Sequence, residues 1–163
     1  MQFDHSVTIR RSPADIFAFL ADVHLYATPP GSPVAAMDKI PAGPTGVGTR
    51  WREVIKLGLG MRMTVWSEVT ACEPGRLLAE TWSGGNMRGT LTYRIEVTPA
   101  GTGLHESKSL EAVGWLRPFQ RMIDRILPPK ELARLEEIAR LLDAGEDRGI
   151  TAPAAETAPA AGS

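Results

Sequence analysis

"GPTGVGTRWREVIKL", residues 43–57, decides the fold. It nearly matches a phosphate-binding loop, G-x-x-x-x-G-K-[ST]. Gly43 and Gly48 have the required separation, but position 49 is Thr where the lysine belongs. Such a loop also needs a buried strand before it and a helix after it. The residues that follow alternate instead, with Arg50, Arg52, Val54 and Lys56 against Trp51, Glu53, Ile55 and Leu57. A period of two is a strand and excludes a helix start. Ahead of it, "KIPAGP" places two prolines within six residues. The glycines therefore serve a turn or bulge that feeds a strand, with Gly46 and Gly48 shaping it. Thr49, Trp51 and Glu53 then face one side, while Arg50 and Arg52 face water.

Outward from this strand the same period continues. From about Val34 to Glu111 the chain reads as strand after strand. Turn signals rich in Gly and Pro ("LGLG", "EPG", "SGGN" and "PAGTG") separate segments rich in Thr, Val, Trp, Tyr and Ile. Short connections of this kind imply an antiparallel meander. At the front, Phe3, His5, Val7 and Ile9 alternate with Asp4, Ser6, Thr8 and Arg10 as a half-buried strand. "SPADIFAFLAD" then opens a helix, with Ser12 as cap, Pro13 in the first position and Asp15 three residues after the cap. At the back, Trp115, Leu116, Phe119, Met122, Ile123, Ile126 and Leu127 recur at helical spacing. The series resumes with Leu132, Leu135, Ile138, Ala139 and Leu142. Pro128 and Pro129 between them predict two helical segments, one short and one long, or a single bent helix.

The 163 residues suit one domain with a real core. A domain over 1–144 and a disordered Ala/Pro-rich tail over 145–163 are expected, because the tail lacks large apolar residues beyond Ile150. The net charge of −1 gives no electrostatic case for nucleic acid, and none for an anionic membrane surface. One cysteine, Cys72, excludes an internal disulfide and a cysteine-based zinc site. No apolar run approaches the roughly 18 residues of a spanning helix, so no integral membrane association is expected. The first residues do not read as a signal peptide, and a cytoplasmic protein is the default expectation.

In this order the segments resemble the polyketide cyclase/dehydrase branch of the START-like (SRPBCC, Bet v 1-like) superfamily. The resemblance rests on "FDHSVTIRRSPADIFAFLADV", then "GPTGVGTRW", then "EVTACEPGRLLAET" with its E-P-x-R-L turn. "GTLTYRIEVTPAGTGLHES" and "EAVGWLRPF" complete it, from about Phe3 to Leu142. It implies an α+β helix-grip fold: a curved antiparallel sheet wrapped around a long C-terminal helix, with two short helices after the first strand. It also implies an elongated apolar cavity for a polyketide, lipid or related hydrophobic molecule. Cyclisation and dehydration of polyketide chains occur in some members. A non-catalytic lipid carrier, or a module that meets a protein or ribosome partner, is the alternative. No cofactor is implied.

Hairpin arithmetic pairs Ile55 with Met63, Glu53 with Val65 and Trp51 with Ser67. It also pairs Val69 with Glu80, Ser67 with Trp82, Val97 with Leu104, Ile95 with Glu106 and Tyr93 with Lys108. The inner face then carries Trp51, Ile55, Met61, Met63, Val65, Val69, Trp82, Leu91, Tyr93 and Ile95. The expected cavity lining is Trp51, Glu53, Ile55, Met63, Val65, Trp82, Leu91, Tyr93, Phe119 and Met122. A mostly apolar pocket with a few convergent polar groups is the usual form of a small-molecule site. Tyr93, Glu53 and Glu80 are the catalytic candidates, since ring closure needs an acid or base and donors for an enolate oxygen. Hydration of the two glutamates at the cavity mouth is the alternative. Glu53, Glu80, Glu106 and Lys108 sit as polar islands among the apolar neighbours of this face, and Glu106 and Lys108 read as paired with each other or with solvent on an edge. His5 reads as a hydrogen-bonded core histidine. The three histidines form no cluster for a metal.

Overall fold

In the computed structural model the described residues are 2–21 and 34–144. The second of the two expected short helices, His24 and the 145–163 tail lie outside them. Strands β1 (Gln2–Ile9), β2 (Val34–Ile40), β3 (Arg50–Gly58), β4 (Met61–Glu73), β5 (Leu77–Gly84), β6 (Met87–Thr98) and β7 (Gly101–Ala112) form one antiparallel sheet. Its order is β1-β7-β6-β5-β4-β3-β2. Helix α1 (Pro13–Ala21) follows β1, and a short 3-10 helix (Gly114–Phe119) leads into the long helix α2 (Gln120–Ala144). The architecture is the α+β helix grip.

The glycine loop performs the geometry its sequence implied. Gly48 has φ +86, and its N–H donates to the Val69 carbonyl at 2.8 Å while the Val69 N–H donates to the Thr49 carbonyl at 2.9 Å. Thr49 closes the turn by accepting from the Gly46 N–H at its Oγ1 (3.0 Å). Beyond it, Trp51 is buried, and Arg50 and Arg52 pair outside with Glu68 and Asp38.

The hairpin registers across β3–β4 and β4–β5 are those expected, including Glu53 with Val65 and Ser67 with Trp82. Across β6–β7 the register differs by two residues. Ile95 meets Leu104, Tyr93 meets Glu106 and Leu91 meets Lys108. The turn there is only Pro99–Ala100, because Gly101 at φ +134 already pairs with Thr98. A shift of two keeps every side chain on its face, so the inside and outside assignments survive.

The core joins Ile9, Ile16 and Leu20 to Leu78, Leu91 and Ile95 of the sheet and to Leu135, Ile138 and Leu142 of α2. Helix α2 runs as one element through Pro128 and Pro129. Its C-terminal end is tied down: the Arg11 side chain donates to the Leu142 carbonyl (3.0 Å) and the Arg10 N–H to Asp143 (2.9 Å). A cation at the last free carbonyls favours that helix terminus.

Helix α1 begins as its sequence demands. Ser12 Oγ accepts from the Asp15 N–H at 3.1 Å and donates to the Asp15 carboxylate at 2.6 Å. Loss of such a cap costs about 1 kcal/mol. Ser12→Ala is therefore expected to lower the stability read from urea unfolding by that amount, with an unchanged slope.

Candidate ligand-binding site

Alternation along β5, β6 and β7 brings polar side chains into the middle of an apolar face. One row across the sheet is Leu78, Tyr93, Glu106 and His5; the next is Val69, Glu80, Leu91, Lys108 and Phe3. Helix α2 lays Glu131 and Arg134 over these rows. The face that presents them is the one that buries Leu135, Ile138 and Leu142, one and two turns further along.

The resulting cluster has defined geometry. Lys108 Nζ bonds Glu131 Oε1 at 2.8 Å and stands 5.6 Å from the centre of the Trp82 ring. Arg134 Nη1 is 3.7 Å from Glu106 Oε2 and 3.7 Å from Glu131 Oε2. Glu106 is 1% exposed and Tyr93 2% exposed. Nevertheless the Tyr93 hydroxyl, both Glu106 oxygens, Trp82 Nε1 and His5 Nε2 are buried with no hydrogen-bond partner among the described residues. Buried polar atoms are nearly always paired, with protein or with ordered water, so these five mark the polar part of an otherwise apolar face.

Electrostatics divides the roles. Burial pushes the Tyr93 hydroxyl far up, so it stays protonated and serves as a donor. Burial also pushes the Glu106 carboxyl up, and Arg134 and Lys108 oppose this only in part. Arg134 is held above its ordinary value by the charges that Tyr93, Glu106, Glu131 and Glu80 can carry, against the effect of burial. A poised carboxyl, a neutral phenol and a fixed cation thus share one space.

Of the expected lining residues, Trp51, Trp82, Leu91 and Tyr93 lie on the rows at or beside this cluster, with Glu80 9% exposed among them. Glu53 lies elsewhere. It shares a row with Val65, Gly84 and Met87, which crosses β6 about 20 Å along the strand from Tyr93, and Glu53 itself stands three strands across on β3. Ile55, Met63 and Val65 are half-buried at that same end, and Met61 is exposed at the hairpin tip. Phe119 and Met122 are 47% and 54% exposed. Helical spacing marks a shared face but not what that face meets, and this part of the chain precedes the core-packing half of α2.

Glu106 and Lys108 correct the edge-pair expectation. They do not pair with each other; each meets a charge from α2. Their inward position was legible from the parity they share with Leu104 and Leu110 on β7. His5, expected to be hydrogen-bonded, leaves Nε2 without a partner. Glu131 and Arg134 went unnoticed in the sequence. Their signal was the appearance of charges at positions i, i+3 and i+4 with Leu135, on the stripe that continues through Ile138 and Leu142. On the opposite face of the sheet a concavity of about 700 Å³ opens beside Trp66 and Thr90. The Arg50–Glu68 and Arg88–Glu111 pairs neutralise its charges. Among the described residues there is no cluster of His, Cys, Asp and Glu suited to a metal, and no helix long and apolar enough to cross a membrane.

A search among curated proteins by sequence returned no match. Solved structures with this fold include the Zhui aromatase/cyclase from a Streptomyces species, 18% identical with a TM-score of 0.66, over 90% of this chain and 95% of that one. A point mutant of norcoclaurine synthase from Thalictrum, solved with a transition-state analogue, is 18% identical with a TM-score of 0.65, over 90% and 96%. A Rhodobacter sphaeroides protein is 18% identical with a TM-score of 0.65, over 90% and 92%. At these identities the likeness is one of fold. The family model described as "Polyketide cyclase / dehydrase and lipid transport" matches residues 1–152. With that match and this fold, the chain belongs to the polyketide cyclase/dehydrase and lipid transport family.

Proposed function

We propose that the inner face binds a hydrophobic small molecule bearing carbonyl or hydroxyl oxygens, and that Tyr93 and Glu106 act on it in ring closure and dehydration. One observation carries this reading: the Tyr93 hydroxyl and the Glu106 carboxyl are buried side by side, none of their oxygens has a hydrogen-bond partner among the described residues, and the Arg134 charge stands 3.7 Å from Glu106. An alkyl chain alone would leave them orphaned at a cost of about 1–3 kcal/mol each. A ligand carbonyl would accept from the Tyr93 hydroxyl, and a ligand hydroxyl would donate to the Glu106 carboxylate.

The chemistry follows from the roles. Glu106 as carboxylate removes a proton from a methylene between two carbonyls. The enolate oxygen accepts from the Tyr93 hydroxyl and faces the Arg134 charge. The enolate carbon attacks a second carbonyl, a C–C bond forms, and the new alkoxide takes its proton back from Glu106. Removal of a second α-proton then expels the hydroxyl as water, with the proton again supplied by Glu106. No oxidant or cofactor enters the balance. Glu80, close enough to act on Tyr93 electrostatically, is the second carboxyl of the site.

Calorimetric titration with a hydroxylated tricyclic aromatic, a linear β-diketone and a saturated fatty alcohol tests the reading. The two oxygen-rich probes are expected to bind and to lose about tenfold in affinity in Tyr93→Phe, the worth of one buried hydrogen bond. The fatty alcohol is expected to be indifferent to that change. The apolar remainder of the face, Val69, Leu91, Ile95 and Leu104, suits a carrier without chemistry. That reading wins if the alcohol binds best and Tyr93→Phe alters nothing.

A further inference from the structure

The chain from Gly114 to Arg125 contains no buried residue. It nevertheless holds Trp115 at 70% exposure, Phe119 at 47% and Met122 at 54%. Phe119 and Met122, three apart, share a helix face, and Trp115 stands exposed just before them on the 3-10 helix. Arg117, Arg121 and Arg125 are interleaved with them, all exposed. The one acidic side chain of the segment, Asp124, accepts from Gln120 at 2.6 Å. Gln120 in turn accepts from the Ala112 N–H, which fixes the segment to the end of β7.

We infer that this segment docks the protein on an anionic lipid surface. Water-facing Trp, Phe and Met side chains in one short stretch leave apolar area in solvent for no structural return, because none of the stretch is buried in the core. Trp and Phe beside Arg is the composition of helices that lie in the interface plane, with the rings at headgroup depth and the cations against lipid phosphates. Three arginines against one aspartate make this end locally basic, although the whole chain carries −1. Net charge averages over a surface; a membrane meets only the part that touches it. The charge complementarity selects an anionic bilayer over a neutral protein partner. From Met122 to Glu131 is nine residues, about 13 Å of helix, so the docked end lies next to the polar cluster. The docking itself does not depend on the ligand reading and is measured without any ligand.

Co-sedimentation of the full chain with large vesicles tests it. Binding is expected to vesicles of phosphatidylcholine with one quarter phosphatidylglycerol, and to weaken at least tenfold on pure phosphatidylcholine or in 0.5 M salt. The exposed double variant W115S/F119S and the charge variant R121E/R125E are each expected to lose about tenfold in partitioning while keeping the wild-type circular dichroism and melting temperature. Absence of binding to either vesicle would overturn the inference, as would binding that neither variant changes. A concentration-dependent dimer in sedimentation velocity that W115S/F119S dissolves would assign the stretch to self-association and also overturn it.

Discussion

Gly89→Ala is expected to lower the thermal midpoint by about 10 °C and to disorder the ligand face with it. A Cβ built at Gly89 would stand 1.9 Å from the Ser109 carbonyl oxygen and 2.9 Å from Trp82 Cζ2. The first contact is with backbone, which cannot turn aside as a side chain can. Strands β6 and β7 approach closely at this point. The Thr90 N–H bonds the Ser109 hydroxyl at 2.9 Å, and the two hydroxyls bond each other at 2.8 Å. A methyl group must therefore push β6 off β7. Overpacking of this kind costs about 3 kcal/mol, and in a chain of this size each kcal/mol moves the midpoint by roughly 2–4 °C. Leu91 and Tyr93 lie two and four residues further along β6, so the same displacement shifts them against Lys108 and Glu106. A midpoint within 2 °C of the wild type, by calorimetry, would show that the close approach is not a constraint.

Glu106→Gln should separate stability from function. The Glu106 carboxyl is buried without a hydrogen bond and is held above the ordinary value of 4.5, first by burial. A carboxyl with a raised folded-state pKa binds its proton more tightly when folded. Its stabilising effect is therefore complete below pH 4.5 and is lost as pH rises through the folded value. The wild type is expected to lose stability over that window. The glutamine variant should not, and at pH 8 it should be about 1 kcal/mol more stable. Affinity for the hydroxylated probe, whose O–H can donate to the carboxylate, should fall about a hundredfold, as for a charge-assisted hydrogen bond, and any ring closure should cease. Urea unfolding from pH 4 to 8, run beside titration of the probe, reads both. A variant that is less stable at pH 8 and binds as before would make Glu106 a structural residue.

The sequence made the sheet legible because strands half-exposed to water write a period of two. Trp51 against Arg50 and Arg52 declared inside and outside without help from any other segment. The β6–β7 register was legible only to within two residues, since the choice between a two- and a four-residue loop rested on the backbone angle of Gly101. The site was harder to read. Tyr93 and Glu80 could be placed inward by parity, but what lies over them is fixed by the rotation of α2 about its axis. That rotation is set by Leu135, Ile138 and Leu142 together, so Glu131 and Arg134 entered the site unannounced. Phe119 and Met122 keep their helical periodicity but stand exposed, because this part of the chain precedes the core-packing half of α2.

The Tyr93–Glu106–Arg134 cluster is tested most directly by native mass spectrometry of the freshly purified chain beside its Glu106→Gln variant. The wild type should carry a non-covalent, oxygen-bearing hydrophobic molecule that the variant has lost, with both proteins otherwise of the same charge-state distribution and fold. A bare wild type, or the same bound molecule retained at equal occupancy in the variant, would contradict a ligand site built on these buried groups.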